Sequence, residues 1–309
     1  MSTAPATQVP TPRPTPRFAD SCRALAADIK LSHSVFALPW AVLATFMAAH
    51  GHPAIGQALL ILICMVLART AAMAANRLLD AKLDALNPRT ARRAIPAGKL
   101  TTTFVALTIA TCAIAFIGTA ACFGIFYGNW IPLPASPFVL AFLMAYPFLK
   151  RFTELCHYYL GAALALAPTC AWLAIAGTLA APPLLMSAAV LLWTAGFDIL
   201  YACQDYESDC QTGVHSVPAR FGIPGALWIA RASHVLCVAA LIALVLVSPQ
   251  LGLVFACAIA AVVILLIVEH TLVTPTDLSK LNLAFFTLNG VVSLLIGVCG
   301  LIDVFRLGK

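Results

Sequence analysis

Residues 61–84 read ILICMVLARTAAMAANRLLDAKLD, an apolar run that ends in polar residues four positions apart. These polar residues are Asn76, Asp80 and Asp84, and their spacing places them on one face of a helix. The apolar run continues upstream to about residue 54, which is long enough to cross a hydrocarbon core of roughly 30 Å. The stretch therefore predicts a membrane-spanning helix with an acidic face at one end.

A second acidic cluster ends another apolar run. In YACQDYESD, Tyr201, Asp205 and Asp209 repeat the spacing of four, so the two clusters supply four carboxylates in a chain with 12 acidic residues. Like charges on one helical face repel each other, and such faces usually hold a divalent cation bound by oxygen. At a membrane boundary the natural partner of that cation is a lipid diphosphate. We therefore expect a site for Mg²⁺ and a prenyl diphosphate, with Asp80, Asp84, Asp205 and Asp209 as metal ligands.

Composition places the chain in the membrane. Of its 309 residues, 62% are hydrophobic and 10% are charged, whereas soluble proteins carry roughly 25% charged residues. Alternating barrel patterns are absent, so the fold class is all-α, a polytopic membrane protein with about nine transmembrane helices. The predicted spans are 31–50, 54–79, 101–123, 137–149, 158–180, 183–204, 226–247, 250–271 and 281–303. Residues 31–309 are expected to form a single transmembrane domain.

The segment before the first span is rich in Pro, Thr and Ala. Such composition is typical of disorder, and no apolar region with a cleavage site precedes the span. We therefore expect residues 1–30 to form a disordered cytoplasmic tail and no signal peptide to be removed.

Basic residues mark one side of the membrane. The net charge of +6 comes largely from short loops after the second, fourth, sixth and eighth spans. Such asymmetry predicts that these loops, and both acidic clusters with them, face the cytoplasm of a bacterium across its inner membrane. It accounts for the positive charge without nucleic acid, which is not an expected partner. The basic residues are Lys82, Arg89, Arg92, Arg93, Lys99, Lys150, Arg151, Arg220 and Lys280.

Three segments carry a family resemblance. The NxxxDxxxD pattern with its loop NPRTARRAIPAGKL, the segment DILYACQDYESD and YPFLKR at 146–151 together resemble the UbiA superfamily of intramembrane aromatic prenyltransferases. The resemblance covers nearly the whole chain from about Ser32. It implies helices around a central cavity open towards the membrane, prenyl transfer to an aromatic acceptor, and Mg²⁺ as the cofactor on the two acidic motifs.

Arg69 lies seven residues before Asn76, two helical turns deeper on the same face. A charge within a membrane span is costly and is a functional candidate by default. The alternative is a structural ion pair with Asp198, another charge within a span. The resemblance implies an Arg at this position beside the acceptor pocket, and a guanidinium fork fits a carboxylate. An aromatic carboxylic acid is therefore the implied acceptor, with Asp198 as a second residue of the substrate pocket.

Further roles follow from the resemblance. Arg93 and Lys150 match family positions near the phosphates, and Arg220 of the second loop is a further candidate for substrate binding. For each of these basic residues the alternative is a marker of topology only. Asp80, with Asn76 beside it, is the candidate to orient or deprotonate the acceptor in an electrophilic aromatic substitution. The ring of Tyr201 is a candidate to stabilise the allylic cation.

The acceptor and the function class each leave alternatives. The segments look most like the branch usually named 4-hydroxybenzoate polyprenyltransferase, part of which uses 1,4-dihydroxy-6-naphthoate (the MqnP type). The first acceptor leads to ubiquinone and the second to menaquinone, and both carry the carboxylate that Arg69 would bind. A prenyltransferase on another acceptor, a cation-coupled transporter and a non-catalytic scaffold are the other readings. Acids at the helix ends favour an enzyme over a transporter, whose sites lie at the membrane midplane.

Overall fold

The computed structural model describes residues 17–29 and 36–307, and the regular structure in these ranges is helical. The helices are α1 Phe18–Asp28, α2 Leu38–Ala48, α3 Ile55–Leu86, α4 Thr102–Tyr127, α5 Pro132–Leu149, α6 Cys156–Ala176, α7 Ala181–Ala202, α8 Tyr206–Thr212, α9 Val217–Val247, α10 Leu253–Leu272 and α11 Asn289–Leu307. A 3₁₀ turn at Cys203–Asp205 joins α7 to α8, and a π-helical turn at Leu283–Leu288 leads into α11.

The predicted all-α membrane fold is confirmed. Eight helical segments of the described chain are long and apolar enough to cross a membrane, with α7 and α8 counted as one segment. The shorter apolar helix α2 occupies the place of the predicted first span. Residues 31–35, which that span was expected to include, lie outside the described residues. The count of about nine spans thus agrees with eight long segments and one short one.

Helices α3 and α9 extend beyond the predicted spans. Helix α3 continues through its acidic cluster to Leu86, and Asn87 is extended because it precedes Pro88. Helix α9 begins nine residues before the predicted span, where the Ser216 side chain accepts a hydrogen bond from the Ala219 N–H. Gly222, with φ of +70°, interrupts α9 in its second turn. Helix α9 thus begins soon after the second acidic cluster, whereas the loop 87–101 separates the first cluster from α4.

The predicted disordered tail needs a correction at its end. Residues 18–28 form helix α1, in which Leu25 and the adjoining Ile29 are buried against Ala74 of α3 and Leu100. The spacing of four between Leu25 and Ile29 gives this short segment an apolar face, and burial of that face stabilises it. The rest of the predicted tail, residues 1–16, lies outside the described residues.

Helix α7 forms the centre of the bundle. It is the most buried of the membrane-spanning segments and packs against α6 and α9. Its Trp193 is fully buried and lies 5.9 Å from Trp40 of α2, measured between ring centroids. A side chain at Gly161 of α6 would meet the backbone of Leu191, so glycine allows α6 and α7 to approach closely. The outer faces of the bundle expose large apolar side chains, which suits contact with lipid.

Candidate active site

A cavity of about 740 Å³ lies inside the bundle, and both acidic clusters line it. Its polar end is formed by the C-terminal part of α3, the loop after α3, and the segment from α7 to the start of α9. Its other walls are mostly apolar and come from α3, α4, α5 and α6, with Phe116, Phe123 and Leu164 among the lining residues. The cavity therefore joins a charged end to an apolar interior.

The first cluster is neutralised by basic residues. The Asp80 carboxylate is nearly fully buried and accepts a hydrogen bond of 2.5 Å from Lys150 Nζ, with Arg151 3.8 Å from its other oxygen. Asp84 accepts two hydrogen bonds of 2.7 and 2.8 Å from one nitrogen of Arg93. The basic residues after α3 and α5 thus converge on α3, as opposite charges at a buried site require.

The second cluster is tied to the loop that follows the first. Arg89 donates hydrogen bonds of 2.9 and 2.6 Å to the two oxygens of Asp205, and Asn87 donates one of 2.9 Å. Asp209 accepts a hydrogen bond of 2.8 Å from the Ser216 hydroxyl. Burial lowers the pKa of the Arg89 guanidinium, but the hydrogen bonds and the charge of Asp205 outweigh burial and raise it. Arg89 therefore remains charged, and its loop bridges the two clusters.

The second cluster does not lie on one regular helical face, which corrects the expectation from its spacing. Helix α7 ends at Ala202, and the 3₁₀ turn at Cys203–Asp205 separates it from α8. The side chain of Gln204 donates a hydrogen bond of 2.8 Å to Tyr201 O. An uninterrupted helix would pair that carbonyl with the N–H of Asp205. The side chain of Gln204 thus bonds to this carbonyl at the point where α7 gives way to the 3₁₀ turn.

The four motif carboxylates match the ligand chemistry of Mg²⁺, although they do not converge in this state. They line one cavity, and carboxylate oxygens are hard ligands that suit this ion. Asp80 Oδ1 is buried and forms no hydrogen bond with the described residues, so it is an acceptor available to a cation. Within the described ranges, no three His, Cys, Asp or Glu residues are grouped closely enough to hold a metal. The four carboxylates therefore fit Mg²⁺ once they bind the ion in place of their basic partners. Phosphate oxygens would then be the other ligands of the ion.

Deeper in the cavity lie the residues that the sequence assigned to the acceptor. Arg69 lines this part of the cavity. Asn76 is buried, and its side-chain oxygen accepts a hydrogen bond of 3.1 Å from Arg77. Asp198 also lines the cavity, and its Oδ2 lies 2.7 Å from His157 Nδ1. His157 is thus a hydrogen-bond partner of Asp198 in the structure.

Aromatic side chains surround Tyr201. Its ring lies 4.1 Å from that of Phe285 and 6.1 Å from that of Phe286, between centroids. Both phenylalanines belong to the π-helical turn before α11 and line the cavity. The Arg89 guanidinium lies 5.5 Å from the Tyr201 ring centroid. Tyr201 therefore faces the cavity with an aromatic wall behind it, next to the acidic cluster.

The match to a family model decides the classification. Residues 37–291 match the model of the UbiA prenyltransferase family. The chain belongs to this family. The resemblance predicted from the two acidic motifs is thereby confirmed.

Two sequence relatives are bacterial proteins of the same name. The 4-hydroxybenzoate octaprenyltransferase of Pseudomonas fluorescens (strain Pf0-1) is 33% identical over 193 residues, which cover 61% of this chain and 62% of that protein. The protein of the same name from Marinobacter nauticus is 32% identical over 211 residues, which cover 67% of this chain and 68% of that protein. The chain thus matches less than two thirds of the length of the Pseudomonas protein.

Solved structures share the fold. The apo structure of a UbiA homolog from Aeropyrum pernix K1 superimposes with a TM-score of 0.79 at 30% identity, covering 88% of this chain and 98% of that one. A UbiA homolog from Archaeoglobus fulgidus bound to DMAPP and Mg²⁺ superimposes with a TM-score of 0.69 at 20% identity, covering 93% and 99%. The UbiA fold therefore extends over nearly the whole chain.

Most of the predicted site residues meet in this UbiA cavity, but Arg220 does not. Arg220 forms an ion pair of 2.9 Å with Glu154, keeps 61% of its side-chain surface exposed and is not part of the cavity lining. The described structure thus does not support its predicted contact with substrate. Its ion pair with Glu154 holds the guanidinium at the surface instead.

His157 and Asp28 are among the polar residues of the cavity lining that the sequence analysis missed. His157 begins α6 and is 4% exposed, and Asp28 of α1 lies 3.4 Å from Arg77. A histidine at the start of an apolar span was a signal for His157, although interfacial histidines are common. No sequence pattern indicated that Asp28 belongs to the cavity, because it lies in the segment that was predicted to be a disordered tail.

Proposed function

We propose that this UbiA family member transfers a polyprenyl group from a polyprenyl diphosphate to a hydroxyaromatic carboxylic acid in quinone biosynthesis. One observation carries the proposal: two acidic clusters and their basic partners form one end of a single cavity whose other walls are mostly apolar. A polyprenyl diphosphate has the matching division, with a charged head and a hydrocarbon chain. The sequence relatives carry the name of such an activity.

Asp80, Asp84, Asp205 and Asp209 would hold Mg²⁺ together with the diphosphate. When bound, the ion neutralises the diphosphate and makes it a better leaving group. A family member of the same fold has been solved with DMAPP and Mg²⁺. In this chain each of the four acids already faces the cavity, so binding requires a change of partners rather than a change of fold.

The diphosphate would take over the basic side chains that now neutralise the acids. Lys150, Arg93 and Arg89 each bond to a carboxylate at 2.5 to 2.9 Å. A diphosphate also offers them negative charge and has more acceptor oxygens than a carboxylate, and Arg and Lys both bind phosphate well. These residues would then stabilise negative charge on the leaving group as the allylic C1–O bond breaks.

The acceptor would bind deeper, between Arg69 and the diphosphate. Arg69 would hold the acceptor carboxylate and so direct the ring carbon beside the hydroxyl group towards C1 of the donor. Tyr201 would place its π face near the developing cation. The names of the sequence relatives favour 4-hydroxybenzoate, and 1,4-dihydroxy-6-naphthoate has the same carboxylate and hydroxyl groups.

Charge distribution supports an inner-membrane protein whose active site faces the cytoplasm. The polar end of the cavity carries the loops after α3 and α5, in which Arg and Lys are concentrated. Positive residues remain on the cytoplasmic side of bacterial inner-membrane proteins. The water-soluble acceptor and Mg²⁺ would therefore enter from the cytoplasm, while the prenyl chain would enter from the bilayer.

An acceptor panel tests the proposed function. Purified protein in detergent would receive Mg²⁺, geranyl diphosphate, and either 4-hydroxybenzoate, 1,4-dihydroxy-6-naphthoate or benzoate as a control without the hydroxyl group. We expect a C-prenylated product by mass spectrometry with one or both hydroxyaromatic acids, and none with benzoate. Absence of prenylated product from both hydroxyaromatic acids, with longer donors as well, would overturn the proposal.

A further inference from the structure

Helix α1, which was predicted to belong to a disordered tail, forms part of the cavity wall. Ala27 and Asp28, at its C-terminal end, are among the lining residues. Apolar contacts of Leu25 and Ile29 with α3 and the loop 87–101 hold the helix in this place. The carboxylate of Asp28 is therefore kept at the cavity, although its helix lies outside both acidic motifs.

The Asp28 carboxylate contacts two neighbouring segments. Its Oδ2 lies 3.4 Å from Nε of Arg77 on α3, and its Oδ1 accepts a hydrogen bond of 3.4 Å from the backbone N–H of Ala94 in the loop 87–101. The backbone oxygen of Asp28 accepts a further hydrogen bond of 3.4 Å from Nη2 of Arg77. Asp28 thus joins α1 to the first acidic motif and to the loop that carries Arg93.

Arg77 is a buried cation, so its charge needs an acid. It is 8% exposed, and a buried charge without a partner is strongly unfavourable. Within the part of the chain that the structure describes, Asp28 is the acid that forms an ion pair with it. Arg77 Nε and Asp28 Oδ2 have no hydrogen-bond partner there. Each of the two groups therefore relies on the other to compensate its charge.

Arg77 also lies next to two of the proposed metal ligands. It precedes Asp80 by three residues and Asp84 by seven on the same helix, which corresponds to about one and two helical turns. All three residues line the cavity. An arginine released from Asp28 would therefore be drawn to these carboxylates, where it would compete with a cation. The ion pair with Asp28 prevents that competition.

We propose that Asp28 is a positioning residue for the metal end of the site: by holding Arg77, it leaves Asp80 and Asp84 available to Mg²⁺. The inference rests on the proposed function, which assigns the ion to these carboxylates. Asp28 acts through Arg77 and does not itself bind the ion or the donor. The negative charge of Asp28 near the site also favours a cation, so both effects have the same sign. Helix α1 is thereby part of the active site.

Mg²⁺ binding tests the proposal without turnover. Purified protein in detergent would receive geranyl S-thiolodiphosphate, in which sulfur replaces the oxygen at C1 and slows cleavage, and then increasing concentrations of Mg²⁺. The melting temperature rises as the complex forms, and the Mg²⁺ concentration at half of this rise is compared between variants. For Asp28→Asn we expect this concentration to increase about tenfold or more. Asp28→Glu keeps the charge and should stay near wild type, as should Asp20→Asn on the exposed side of α1.

Substitution of Arg77 separates the effect of charge from the docking of α1. Arg77→Gln removes the competing cation and should not raise the half-saturating Mg²⁺ concentration. In the double variant Asp28→Asn with Arg77→Gln no charge is left without its partner, and we expect a value within about threefold of wild type. These two variants keep the test decisive if Asp28→Asn alone does not fold, since neither contains an unpaired arginine.

Three results would each overturn the role of Asp28. They are a half-saturating concentration for Asp28→Asn within about threefold of wild type, a double variant as impaired as Asp28→Asn, and an increase of more than about threefold in Arg77→Gln. In all three cases wild type still responds to Mg²⁺, so the proposed function stands. If wild type shows no Mg²⁺-dependent rise in melting temperature, the proposed function fails and this inference fails with it.

Discussion

Arg89, in the loop after α3, holds Asp205 of the second acidic cluster through hydrogen bonds of 2.9 and 2.6 Å. The two residues are 116 positions apart in the chain. Their contact brings the loop of the first cluster onto the second cluster, so the two motifs form one site. Arg89 thereby belongs to the site and is more than a marker of topology.

Removal of the Arg89 side chain should weaken donor binding. In Arg89→Gln the diphosphate would lose a charge-assisted contact of about 1.5–3 kcal/mol, which corresponds to a rise in donor KM of about ten- to a hundredfold. Acceptor KM should change little. Arg220→Gln is the matched control, because Arg220 pairs with Glu154 at the surface and is not part of the cavity lining. Equal effects of both substitutions on donor KM would count against this role of Arg89.

Lys150 and Asp80 should be coupled in stability. Asp80 is 1% exposed, so Lys150→Met would leave a buried charge without its main partner, at a cost of about 3–5 kcal/mol. Asp80→Asn removes that charge, and the double variant should recover most of the stability lost in Lys150→Met. Thermal unfolding in detergent of both single variants and the double variant measures the coupling. Additive losses would show that the pair does not act as a unit.

Arg69 should control acceptor affinity. Arg69→Ala should raise acceptor KM about ten- to a hundredfold through loss of the contact with the acceptor carboxylate, while donor KM stays close to wild type. Arg69→Lys keeps the charge without the planar fork and should give an intermediate value. If Arg69 is instead structural, Arg69→Ala would lower the melting temperature and impair donor and acceptor alike. The two KM values and the melting temperature, measured on one preparation, decide between these roles.

A native cysteine reports the side of the membrane. Cys210 is exposed in α8, next to Asp209. In inverted inner-membrane vesicles it should react with a membrane-impermeant maleimide, and in right-side-out vesicles it should not. Peptide mapping identifies the labelled residue, and Cys210→Ser provides the blank. Reaction from the periplasmic side would reverse the proposed orientation.

The sequence was sufficient for the parts of the fold that depend on local patterns. The apolar runs of α3 and α7 and the spacing of four in their acidic clusters predicted the spans and the cavity end where Asp80 and Asp205 lie. Ion pairs were not predictable, because Arg89 meets Asp205 across 116 positions and Lys150 meets Asp80 across 70. Their partners depend on how the helices pack, which no local pattern records.

Two local features of the structure were also not predicted from the sequence. The 3₁₀ turn at Cys203–Asp205 carries a side-chain hydrogen bond from Gln204 to Tyr201 O, and helical spacing alone does not reveal such a bond. Helix α1 depends on burial of Leu25 and Ile29 against α3 and the following loop. Without that contact a helix of 11 residues is marginal, and its sequence beside a Pro-rich segment favoured disorder.

The central claim is that the two acidic clusters act together on one diphosphate with Mg²⁺. The most direct measurement is prenyl transfer by wild type, Asp80→Asn and Asp205→Asn, before and after EDTA and after Mg²⁺ is restored. Acid and amide are similar in size, so each variant should insert and fold. We predict that EDTA abolishes wild-type transfer, that Mg²⁺ restores it, and that each substitution on its own lowers kcat by orders of magnitude. Transfer that persists in EDTA, or full activity of either variant, would contradict the account.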